Sequence, residues 1–406
     1  MRVGLFEDAC WEVLLPFTRT RPIWRIWWGM DTLAAKWNRY YGYEVLGYLP
    51  ARSYLWQLYP PVSPPGPITW INARLLPHTP DLSRWLTTIE PDKLYCVKEG
   101  IPVALRTQKA LTPSPTEEPT TPPWKEPFKT AEVPQELELY WLRHPTDLFQ
   151  HTGNILAADW LHWKAPRSPL PPSLSVRGKD NLYLHPTARV GFACIDAEQG
   201  PVWIGPHAEI QDGCLLQHTN AIGPHTTLLL GAKIRTHNSI GPWCKIGGEV
   251  GQSTFLGYSN KAHEGFVGHS VIAEWCNIGA GSNTSNLKNT YGTVRLYNPS
   301  TQQVEDTGLQ FCGLLMGDYA RCGIQTPFTT GCMVDLFANV VSTTFTPKYI
   351  PPFTWSEGQK WSKDKMLIAA QRMKMRRGLH LSDAEAALLQ ELWEMLNSNP
   401  IPEQNA

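Results

Sequence analysis

Residues 204–246 read IGPHAEIQDGCLLQHTNAIGPHTTLLLGAKIRTHNSIGPWCKI. Within them Ile204, Ile210, Leu216, Ile222, Leu228, Ile234, Ile240 and Ile246 recur at an unbroken interval of six. That interval fits neither the period of a helix nor the two-residue alternation of a simple strand. It also triples: Ile204-Gly205-Pro206-His207, Ile222-Gly223-Pro224-His225 and Ile240-Gly241-Pro242-Trp243 stand 18 residues apart. Each coil of chain would then return to the same corner after three six-residue sides. A parallel β-helix is the expected architecture. Glycine frees the backbone at the corner, proline stiffens it, and each branched side chain stacks inward, contributing ~1.5 to 3 kcal/mol by burial. The spacing leaves handedness open, since ordinary crossovers favour the right hand.

Working outward, the ladder is expected to resume with Phe266, Ile272 and Ile278, and again with Met316, Cys322, Phe328, Val334 and Val340. Residues 285–311 between them read as an extruded loop or hairpin. The tail carries helix signals: Ser362 before a helix over 364–376 closed by Gly378, then a Ser382/Glu385 capping box before 386–396. Ahead of the solenoid, short apolar strands at 3–6, 69–76, 94–97 and 103–105 and a helix over 33–41 indicate a small α/β domain over residues 1–110. A proline-rich loop or linker (111–134) and connecting helices with a second proline-rich junction (135–181) lead to the β-helix over 182–345, with a helical tail over 346–406.

Composition narrows the function. The chain has 406 residues, with 36 lysines and arginines balanced by 36 aspartates and glutamates, so no basic field exists to gather nucleic acid. Nine cysteines form no C-x-x-C pair, and the start MRVGLFEDAC lacks a basic and apolar leader, so reduced thiols and a cytoplasmic location are expected. No apolar run approaches the ~18 residues a membrane span needs. His207 and His225, one coil apart, read as corner residues on a solvated edge and not as a metal ladder.

The chemistry is concentrated in residues 257–289, GYSNKAHEGFVGHSVIAEWCNIGAGSNTSNLKN, dense in polar residues and glycine. His263 is followed 14 residues later by Asn277-Ile278-Gly279-Ala280-Gly281, with Gly268 between. In this spacing the chain resembles the acetyltransferase domain of the bifunctional N-acetylglucosamine-1-phosphate uridylyltransferase and glucosamine-1-phosphate acetyltransferase (GlmU-type) family. The resemblance covers residues 182–345 well and the first hundred faintly.

It implies a left-handed β-helix, a homotrimer, and acetyl-CoA as co-substrate for N-acetylation of an amino-sugar phosphate or nucleotide sugar. By this resemblance His263 is the general base, an imidazole suited to proton transfer near neutrality. Asn277 and Asn286 contact sugar and acyl donor, the backbone of Gly279, Ala280 and Gly281 approaches the cofactor, and Glu249 orients His263 or accepts a substrate hydroxyl. Lys233, Arg235 and Lys261 are candidate phosphate partners, with Phe266 where the family has a tyrosine. Leu287 and Gly251 also depart from the family pattern.

The first domain sits where the family carries its nucleotidyltransferase, yet Leu5-Phe6-Glu7-Asp8-Ala9-Cys10 replaces the phosphate-cradling glycine loop, and Ile71-Asn72-Ala73-Arg74 lacks the magnesium-binding aspartate. Magnesium would be needed only if that domain is active. Arg19, Arg21, Arg25 and Arg74 are either anion ligands or structural ion-pair partners. The alternatives to acyl transfer are therefore a sugar-1-phosphate nucleotidyltransferase and a non-catalytic trimeric scaffold.

Overall fold

A computed structural model describes residues 1–166, 168–355 and 359–398. Arg167 in the second proline-rich junction and the tail beyond Ser398 lie outside them. Among the described residues no helix is long and apolar enough to cross a membrane.

The first domain is a six-stranded sheet. Arg2–Phe6 lies between Glu44–Leu49 and Ile68–Asn72, both parallel to it. Pro102–Thr107 and Lys93–Cys96 extend the sheet antiparallel. The sheet does not end at residue 110: after the proline-rich stretch, Lys129–Glu132 returns as a parallel edge strand beside Lys93–Cys96. The helix Leu33–Tyr41 starts where Thr32 accepts from the Ala35 N–H and stops at Gly42, whose φ of 68° is a conformation that glycine adopts freely. The helix Thr152–Leu161 reaches back, its buried Asp159 taking the Lys36 ammonium at 2.6 Å.

The remainder is a parallel β-helix of three faces. The first has nine strands, from Leu182–Leu184 to Tyr349–Ile350, and its inward ladder runs Ile204, Ile222, Ile240, Phe255, Ile272, Met316, Val334 and Ile350. On the second face Leu228 pairs with Ile246 and Ile246 with Lys261. That coil is three residues shorter than the 18-residue repeat, which resets the register. On the third face Val250 pairs with Val267. Val267 is therefore the inward residue and Phe266, expected in the ladder, turns outward, because a shift of one residue exchanges the faces of a strand. The 285–311 excursion is a hairpin, Arg295–Asn298 against Gln303–Asp306.

One corner carries a column of rings. His207, His225, Trp243, Tyr258, Trp275, Tyr319, Phe337 and Phe353 all have φ between 55° and 64°. Neighbouring rings stack, His225 on Trp243 at 4.3 Å and Tyr258 on Trp275 at 4.5 Å. The two corner histidines stack on each other at 4.8 Å, and no group of metal-binding side chains occurs among the described residues. The upper part of this column is covered by the C-terminal helices Lys363–Met375 and Asp383–Ser398 through Met366, Ala370, Leu388, Leu389 and Leu392. Ser382 and Glu385 form the expected capping box, whereas the Ser362 side chain makes no capping bond.

Candidate functional site

The edge between the second and third faces brings together much of the sequence-derived set. Ala262-His263-Glu264-Gly265 turns this corner, and Gly279, Ala280 and Gly281 turn it one coil later, the Gly281 N–H donating to the Glu264 carbonyl at 2.8 Å. The glycines answer first to stacking: a Cβ on Gly279 would stand 2.2 Å from the Gly323 carbonyl oxygen, and Gly281 has a φ of 71°. His263 is exposed, and among the described residues its imidazole makes no hydrogen bond.

Beside that edge, the outer surface of the third face carries Lys233, Glu249 and Phe266 in lateral register. Asn283 closes the row by accepting from the Phe266 N–H at 2.9 Å. Glu249 pairs with Arg235 at 3.3 Å, not with His263, and Lys233 reaches Glu264 at 3.6 Å. These exposed pairs are easily exchanged for a ligand, since such bridges contribute ~0 to 1 kcal/mol. Asn277 lies on the second face, its amide oxygen 3.4 Å from Asn260, on the other side of the corner from Glu249.

Lys261 departs from expectation. A surface phosphate ligand was anticipated, but its side chain occupies an inward ladder position and is 1 % exposed. Its ammonium donates to the Gly247 carbonyl at 3.0 Å and to the His263 carbonyl. Burial lowers its pKa to about 8. It cannot meet a ligand from there.

The sequence also passed over His269. Its ring stacks beneath Phe311 at 4.9 Å and meets the edge of Phe149 at 6.0 Å. The Asn286 amide nitrogen stands 2.8 Å from its Nδ1, so the amide donates and Nε2 keeps the proton. Burial, then the nearby Arg235 guanidinium, lowers its pKa to about 4. Asn286, expected at the acyl donor, is thus engaged by a histidine. No spacing signals this cluster, because Phe149 and Phe311 come from distant segments.

In the first domain the ends of the three parallel strands, where an open α/β sheet offers its ligand crevice, are filled by ion pairs. Asp8 accepts from Arg74 at 2.6 Å and from the Asn72 amide at 2.7 Å. Glu7 accepts from Arg52 at 2.7 Å, and its carboxyl pKa is raised by burial. Both carboxylates are fully buried. Arg19 and Arg21 turn to the solenoid, Arg19 to Asp335 and Arg21 to Asp318 at 2.6 Å and Glu274 at 3.2 Å. Of the four arginines that sequence left open, Arg19, Arg21 and Arg74 are structural ion-pair partners. Arg25 is exposed.

Residues 3–167 match the family described as sugar nucleotidyl transferase. A stretch of 86 residues is 34% identical to the bifunctional protein GlmU of Methanocaldococcus jannaschii, covering 21% of this chain and 20% of that protein. The chain thus spans about a fifth of the length of the curated relative it matches. Among solved structures, the polySia-specific acetyltransferase NeuO covers 51% of this chain and 99% of its own at 10% identity and a TM-score of 0.29. The Arabidopsis UDP-N-acetylglucosamine acyltransferase covers 57% and 91% at 14% identity and a TM-score of 0.19. Scores that low leave the functional argument to this chain's own geometry. In class the chain joins a segment similar to the sugar nucleotidyl transferase family to a parallel β-helix. More particularly, its matched 86 residues are similar to the bifunctional protein GlmU.

Proposed function

We propose that the chain is an acetyl-CoA-dependent N-acetyltransferase acting on an amino-sugar phosphate or nucleotide sugar at the His263 edge of the β-helix, as a homotrimer. The observation that carries the reading is an exposed histidine on a coil corner, with exchangeable cations Lys233 and Arg235 on the adjoining face. In the proposed step His263 accepts the proton of the sugar amine as its nitrogen attacks the thioester carbonyl. The N–C bond forms, the tetrahedral adduct collapses with loss of the C–S bond, and the proton leaves with the coenzyme thiol. Lys233 and Arg235 would exchange their carboxylates for a substrate phosphate, Arg235 offering a fork of donors. Phe266 would lie against the sugar, Asn277 would hold it from the second face, and the Gly279–Gly281 corner would lie along the acyl donor.

The test is thiol release from acetyl-CoA with a panel of amino sugars, amino-sugar phosphates and amino nucleotide sugars. His263→Ala should lower kcat by ~100-fold or more. Unchanged turnover in that variant would remove His263 from the mechanism, and no turnover with any acceptor would remove the activity. A nucleotidyltransferase reading of residues 3–167 is disfavoured by the ion pairs that occupy its crevice.

A further inference from the structure

We infer that Lys261 is a positioning residue that sets the corner carrying His263. The second-face ladder below it is aliphatic, Leu228 then Ile246, and the next coil places Ile278 above. An isoleucine would fill the same place by the logic of the repeat. Instead a lysine threads the core at the point where the coil shortens, and its Nζ holds the carbonyls of Gly247 and His263 from two successive corners.

The surroundings are shaped for this ammonium. A Cβ on Gly248 would stand 2.8 Å both from the Lys261 Nζ and from the His263 carbonyl oxygen, so glycine is the residue that leaves the space. No carboxylate lies within ion-pair distance among the described residues, and the nearby Glu264 is engaged with Lys233. A buried charge with no counter-ion is costly, and two carbonyl partners offset that cost only in part. An apolar residue would hold the ladder more cheaply but would leave two corner carbonyls without their donor. The lysine therefore fixes the backbone of the turn 262–265, and through it the direction in which His263 leaves the corner.

The inference rests on the proposed acyl transfer for its kinetic consequence but not for its structural one. Lys261→Met keeps length and apolar bulk while removing the donor. In an active protein it should lower kcat at least tenfold with KM for acetyl-CoA within twofold, and its crystal structure should show the 262–265 turn displaced. A merely structural lysine would change melting temperature and leave kcat per folded protein alone, which would overturn the inference. If the unaltered protein acetylates nothing, the proposed function fails while the crystal structure still decides, an unmoved turn overturning the positioning role. Should the methionine variant not fold, Lys261→Gln, with a shorter donor, is read the same way.

Discussion

The Arg19 guanidinium donates through Nε to Asp335 Oδ1 at 2.7 Å and through Nη2 to Oδ2 at 2.6 Å, clamping the first domain to a solenoid coil through a carboxylate with no solvent exposure. Beside it Asp318 accepts from Thr20 at 2.5 Å, from Arg21 at 2.6 Å and from the Glu274 N–H at 2.9 Å. Residues 19–21 are thus a docking strap between the first domain and the solenoid. Removing one partner of a buried pair leaves the other charged and unpaired, whereas replacing both removes the desolvation cost as well. Asp335→Ala should therefore destabilise by about 3 to 5 kcal/mol. The double substitution Arg19→Leu with Asp335→Leu should cost clearly less. Urea unfolding of the four proteins of the cycle measures both, and additive losses would refute the clamp.

The filled crevice makes a second prediction. Glu7 with Arg52 and Asp8 with Arg74 stand where a triphosphate and its metal would need free donors and a free carboxylate. Incubation with a sugar 1-phosphate, any nucleoside triphosphate and magnesium should release no pyrophosphate. Asp8→Asn should weaken folding without uncovering transferase activity. Pyrophosphate formation above background by the unaltered chain would show that the ion pairs open.

These two crevice pairs also mark what the sequence could tell. The absence of a glycine loop after residue 6 was legible, because a missing motif is a local fact. Its replacement was not, since Arg52 and Arg74 approach Glu7 and Asp8 only in the folded sheet. The solenoid was legible wherever the 18-residue coil held, from Ile204 to Ile246. It slipped at Phe266 and Lys261, where a shorter coil exchanged inward and outward residues without any change in composition. The excursion over 285–311 was legible, as a loop or hairpin, from its break in the ladder. The His269 cluster was not, because its ring partners come from the short helix Asp147–Gln150 and from Phe311, beyond the hairpin strands.

His269 should make the protein acid-sensitive. Its pKa falls from 6.5 to about 4 on folding, through burial and then Arg235. Between those values the unfolded chain binds more protons than the folded one, so stability falls as pH drops. The upper bound is roughly 3.5 kcal/mol over the full window, at about 1.4 kcal/mol per pK unit. His269→Phe keeps the stack with Phe311 and should flatten that dependence. Stability of the variant that falls between pH 6.5 and 4 as steeply as in the unaltered protein would assign the acid response elsewhere.

Lys261 should act in the opposite pH range with the same sign. Its pKa falls from 10.5 in the unfolded chain to about 8 in the fold, chiefly through burial, with Glu264 and Cys322 working against the shift and Lys233 with it. Below about 8 both states carry the proton and folding bears the full cost of burying an ammonium. As pH rises through the window the unfolded state holds the extra proton, so the lysine's contribution to stability rises, and above 10.5 the cost is gone. Tyrosines and cysteines titrate in the same range, so the quantity to measure is the difference between unaltered protein and Lys261→Met. The methionine variant should be the more stable at pH 7.5, by at most roughly 3.5 kcal/mol, and the two should converge near pH 10.5. A difference that stays constant across that window would mean the lysine is already neutral at pH 7.5 or remains charged throughout, and the two carbonyls would then be bonded by a group whose charge plays no part in the fold's response to alkali.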